Sequence, residues 1–96
     1  MKNKTRAPSS TPPIVHGLAI YDGKTEEIVD FLEIRLFDLA KFKQQFDVSE
    51  QNDPKMLDRY AVGPDDAAFV TREGDLDVAF DFAHTAYFIE CLIKDT

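Results

Sequence analysis

Cysteine is almost absent from this chain. Cys91 is the only one, which excludes an internal disulfide and any cluster of cysteine metal ligands; within its apolar run it reads as a small core residue of the last strand. Glycine is equally sparse: Gly17, Gly23, Gly63 and Gly74 stand alone, so there is no glycine-rich loop to cradle a phosphate. Neither His16 nor His84 lies at ligand spacing from another histidine, a cysteine or a paired acid. His16 reads as a hydrogen-bonded core histidine on a strand and His84 as a turn residue. Asp75, Asp77 and Asp81 lack the glycine and terminal glutamate of a calcium loop. Without a nucleophile beside a base, a metal set or a phosphate loop, no enzyme is expected, and no cofactor or bound metal.

Long apolar runs are missing too. No stretch approaches the length of a membrane span. After Arg6 come Ala, Pro, Ser, Ser, Thr, Pro and Pro, where a secretory signal would place its apolar core. The expectation is a soluble, cytoplasmic protein.

Basic charge is scarce where it matters. Lys2, Lys4 and Arg6 fall in residues 1–13, leaving eight Lys and Arg against all eighteen Asp and Glu from residue 14 onward, a net charge of −10. Such a body repels nucleic acid and anionic membranes and suits a cationic protein partner, although acidity also serves solubility. Residues 1–13, with three prolines and no apolar period, read as a disordered tail. Residues 14–96 then form a single domain, small but able to fold without staples.

Within that domain Ile14 to Tyr21 reads as a strand, and Asp22-Gly23 is a strong hairpin signal. A second strand is expected from about Glu26 to Leu36, dense in Ile, Val and Phe. Asp38 is placed to cap a helix running to about Phe46, with Leu39, Phe42 and Phe46 on one face. Val48 to Lys55 is loop by composition, and a brief extended piece is expected within Met56 to Val62. Gly63-Pro64-Asp65-Asp66 opens a short helix. Leu76 to Phe82 and Thr85 to Ile93 read as two more strands forming a hairpin. The expected class is α+β: a mostly antiparallel sheet of four to five strands, with one or two short helices packed on one face.

The two-residue period of strands sorts the side chains. Ile14, His16, Leu18 and Ile20 share a face, as do Ile28, Asp30, Leu32 and Ile34, with Leu76, Val78 and Phe80, and with Tyr87, Ile89, Cys91 and Ile93. The opposite face then carries Tyr21, Phe31, Phe88, Glu33, Glu90, Asp77 and Asp81, with Asp22 at its end. Large aromatics interleaved with carboxylates suit a docking surface for a basic protein, since exposed aromatics with charged rims are common interface anchors. The competing expectation is a self-associating structural or regulatory domain, a homodimer, using the same face.

The order of segments adds a resemblance. YDGKTEE, a strand, a helix ending in FDVSEQND, YAV before a short helix, a Leu-Asp-Val stretch and a closing AYFIECLI together resemble the immunity proteins of cloacin and related ribonuclease colicins. They also resemble a broader set of small bacterial proteins with the same segment order. The similarity covers about Leu18 to Ile93. It implies an antiparallel sheet with short helices and a non-catalytic inhibitor that binds the cytotoxic domain of a basic bacterial toxin, with a nuclease as the first expectation. Tyr21, followed by Asp22, and Phe88 fall where that family uses sheet aromatics for binding. Ile28 and Leu92 depart from it, standing where an aromatic and a polar residue are usual.

Overall fold

The computed structural model describes residues 14–93; the expected tail at 1–13 lies outside the described residues. Four strands and two short helices make an α+β fold. Strands β1 (Ile14–Asp22), β2 (Ile28–Glu33), β3 (Tyr60–Ala61) and β4 (Thr85–Ile93) form one antiparallel sheet in the order β2-β1-β4-β3. Helix α1 spans Leu39–Gln45, and a 3-10 turn at Pro64–Asp66 leads into α2, Ala67–Gly74.

The hairpin forms where Asp22-Gly23 announced it, with different turn chemistry. A two-residue turn would place glycine at positive φ; here Glu26 takes the left-handed position at φ 64°, and no glycine does. The loop is longer because the Asp22 carboxylate accepts the Lys24 and Thr25 N–H groups at 2.8 and 2.9 Å, an Asx-type turn. Gly23 is required for another reason. A Cβ there would stand 2.7 Å from the His84 carbonyl oxygen, which accepts the Gly23 N–H at 2.9 Å.

Strand β2 is shorter than expected and carries a bulge. Ile20 pairs with Asp30 but Tyr21 pairs with Ile28, leaving Val29 as the extra residue. The bulge breaks the two-residue phase. Ile28, expected beside Leu32 and Ile34, is instead paired with Tyr21 and 57% exposed.

The largest correction concerns Leu76 to Phe82. No strand and no hairpin with β4 forms there; β4 pairs instead with β1 along its length and with β3 at Phe88 and Ile89. The alternation still sorts the side chains. Leu76, Val78, Phe80 and Phe82 pack against the core, while Asp77, Ala79 and Asp81 are exposed. Phe80 and Phe82 close on Tyr87, at ring separations of 4.7 and 5.2 Å, and the Asp81 N–H donates to the Tyr87 hydroxyl at 2.8 Å. Apolar anchoring thus holds an extended segment without a ladder.

The core lies on the helix side of the sheet. Leu18 and Ile89 from the sheet, Phe42 from α1, Val70 from α2 and Met56 from the loop are fully buried in one cluster. Burying such side chains contributes about 1.5–3 kcal/mol each. Phe42 is the hub, stacked on Phe37 at 4.4 Å and edge-on to Phe69 at 4.9 Å. Asp38 caps α1 as expected, accepting the Lys41 N–H at 3.1 Å. His16 takes its hydrogen-bonded place, with Nε2 2.9 Å from the Met56 carbonyl and its ring stacked on Phe37 at 4.0 Å. Cys91 is half-buried with its thiol 3.2 Å from the Leu57 carbonyl; burial pushes its pKa up, away from reactive thiolate behaviour.

Candidate functional site

The other face of the sheet is laid out in rows by strand register. Phe31, Ala19 and Phe88 lie side by side across β2, β1 and β4, and the next row holds Glu33, Gly17 and Glu90. Small residues on the central strand are flanked by rings and carboxylates on its neighbours. Ala19 is fully buried although it points away from the core, and the Phe31 ring leans against Gly17. Tyr21, Phe31 and Phe88 are half-buried and stand outside the core cluster.

Three of the expected residues converge on one carboxylate. The Tyr21 hydroxyl donates to Glu90 Oε2 at 2.6 Å, and the Tyr21 and Phe88 rings are 5.6 Å apart. This hydrogen bond, then burial and the Glu90 charge, hold the Tyr21 phenol above its usual pKa, with Arg59 opposing. Arg59 completes the cluster. Its Nε lies 3.2 Å from Glu90 Oε2, and its guanidinium carbon is 4.0 Å from the Phe88 ring centre and 5.0 Å from that of Tyr21.

Arg59 was missed by sequence reasoning and changes the electrostatics, because a cation sits on a face expected to be acidic. Only the pairing could have revealed it. Tyr60 opposes Ile89, so the preceding residue falls opposite Glu90.

The remaining expected residues are dispersed. Glu33 lies on the same face, across Gly17 from Glu90. Asp22 is at the hairpin end, its carboxylate engaged by the turn, whose N–H donors hold its pKa low. Asp77 and Asp81 are not on the sheet face, since the segment carrying them forms no strand. Asp81 organises the turn before β4, accepting from Ala83 N–H at 3.2 Å and lying 3.1 Å from His84 Nδ1; His84 is the turn residue expected.

Beside the cluster is an open cleft of 410 Å³, reaching from Arg59 and Phe88 to Asp22 and Glu26. Among the described residues, no group of three or more His, Cys, Asp or Glu is placed to hold a metal ion, and no helix is long and apolar enough to cross a membrane. Such a site can offer aromatic faces, a carboxylate and a cation.

Neither the curated proteins nor the solved structures include a significant match to the chain. A family model does match, over residues 16–90, a span that takes in β2, β3, most of β1 and β4, both helices and the Tyr21–Arg59–Phe88–Glu90 cluster; the chain belongs to the family described as domain of unknown function DUF7683.

Proposed function

We propose that this protein is a non-catalytic binding module of the immunity type, which neutralises a basic bacterial toxin domain, a nuclease in the first instance, through the sheet face opposite the core. The observation that carries this reading is the placement of Tyr21, Phe31 and Phe88 on that face, outside the core cluster and beside Glu33 and Glu90. The net charge of −10 over residues 14–96 supports a cationic partner, because a nuclease must present positive charge to hold phosphates. Charge complementarity of this kind raises association rates and makes them fall with salt. The likeness of the segment order to ribonuclease-colicin immunity proteins motivates the choice of toxin.

The binding set is drawn in from the sequence expectation. Tyr21, Phe31, Phe88, Glu33 and Glu90 form the contact face, with Asp22 at its margin, while Asp77 and Asp81 drop out. The test is co-expression with the toxin encoded beside this gene. Phe31→Ala and Phe88→Ala should abolish protection while circular dichroism stays native. Full protection by both variants would overturn the reading. Should the wild type then sediment as a dimer whose stability is insensitive to salt, self-association through this face, where Ile28 is 57% and Leu92 45% exposed, would take its place.

A further inference from the structure

Arg59 occupies the best-formed recognition feature on the sheet face. We propose that Tyr21, Phe88 and Glu90 form a guanidinium cradle, that Arg59 is its built-in occupant, and that an arginine of a cationic protein partner displaces Arg59 on binding. The identity of the partner rests on the binding-face reading above; the cradle rests on geometry alone.

Each part of the cradle suits a planar cation. The Phe88 and Tyr21 rings lie 4.0 and 5.0 Å from the guanidinium carbon, within the range of cation–π attraction. Glu90 supplies the charge, and the Tyr21 hydroxyl bond to Oε2 holds that carboxylate in place. Glu90 is 17% exposed, whereas the Arg59 side chain is 55% exposed. The acceptor is fixed and sheltered while its occupant sits at the surface.

Arg59 is also an imperfect occupant. Its Nε lies 3.2 Å from Glu90 Oε2, an oxygen it must share with the Tyr21 hydroxyl. Guanidinium and carboxylate can pair through two parallel hydrogen bonds, and an arginine arriving without Arg59's backbone tether is free to do so. The Arg59 side chain is 55% exposed, so it can swing out to solvent without disturbing the core. The cleft beside it, with Asp22 and Glu26 at its rim, gives an approach of matching charge. Arg59 then acts as a gate. It keeps the cradle filled until a better-oriented guanidinium arrives, and it lowers apparent affinity by the fraction of time it is in place.

The test is a titration of the full chain with N-acetyl-arginine amide, followed through the ring proton signals of Tyr21 and Phe88. Arg59→Ala and Arg59→Met, the latter retaining an apolar stem over Phe88, should show saturable shifts with half-saturation at least about threefold below that of the wild type. The uncharged citrulline analogue should produce neither shift, and adding Glu90→Gln to Arg59→Met should remove the gain. Equal responses in wild type and both variants, no saturable response in either variant, or an equal response to the citrulline analogue would each overturn the proposal. No toxin is used, so the two readings fail separately. Lost protection in Phe88→Ala without an arginine response removes the cradle and leaves the binding face; an arginine response without toxin binding leaves the cradle and removes the toxin.

Discussion

The edge of the Phe31 ring rests against Gly17, where an added Cβ would stand 2.6 Å from Phe31 Cζ and 2.6 Å from the Leu32 carbonyl oxygen. The ring can rotate away, but the carbonyl belongs to the neighbouring strand and cannot yield alone. Gly17→Ala should therefore destabilise the protein by about 1–3 kcal/mol through overpacking, read as a lower urea midpoint. Combining it with Phe31→Leu should recover only part of the loss. Complete recovery would show that the ring alone sets the constraint.

Phe42→Ala removes the hub that joins α1 to Phe37 and Phe69. A buried phenylalanine truncated to alanine costs about 3–5 kcal/mol, a large fraction of what a domain of this size has. The variant should be substantially unfolded at room temperature by near-ultraviolet circular dichroism. Phe46→Ala, at the half-buried C-cap of the same helix, should remain folded.

Tyr60 should ionise well above the usual range of a phenol. Its hydroxyl donates to Asp53 Oδ2 at 2.6 Å, and this bond, with burial and the Asp53 charge, pushes its pKa up to about 12. A phenol whose folded pKa exceeds its unfolded value contributes stability that is complete below the unfolded value, about 10, and is lost as pH rises toward the folded value. Asp53 works in the opposite sense. The Tyr60 bond, with the Leu57 and Asp58 N–H donors, lowers its pKa; its contribution is present above the unfolded pKa and is lost as pH falls through the folded one. Tyr60→Phe should remove a step near pH 12 from a phenolate absorbance titration and raise the Asp53 pKa toward its ordinary value. An alkaline titration unchanged by the substitution would contradict the bond.

Asp22 separates a structural role from a binding one. Its carboxylate satisfies two turn N–H groups, a service comparable to helix capping, so Asp22→Ala should lower the urea midpoint. Asp22→Asn, which keeps an acceptor oxygen, should cost less. Neither should change protection in co-expression as much as Phe88→Ala does. Protection lost in Asp22→Asn at unchanged stability would place this residue within the interface.

The parts of the fold legible in the sequence were those governed by local chemistry. Asp38 as a cap, Pro64 opening a turn of helix, Asp22 as a turn former and the alternation in β1 and β4 depend on near neighbours, and the structure bears them out. Leu76 to Phe82 forms no strand because alternation reports which side chains are buried, while a strand also needs a ladder partner, and β4 pairs with β1 and β3 instead. The aromatic face was legible to the extent that period two holds; the Val29 bulge and Arg59 were not. Arg59 reaches the face from just before the short strand β3, whose register no local signal announces.

The outer edge of β2 has a further consequence for how copies of this chain behave at high concentration. Ile34 N–H bonds inward to the His16 carbonyl. Donors alternate along a strand, so the Phe31 N–H faces outward, where the Asp30 carboxylate takes it at 2.8 Å. An incoming strand would have to displace that carboxylate and bury its charge, and the bulge at Val29 leaves no flat ladder to copy. An apolar edge with Ile28 and Val29 exposed would otherwise be a template for fibril growth; one aspartate bonded to its own neighbour's amide turns it into a poor one.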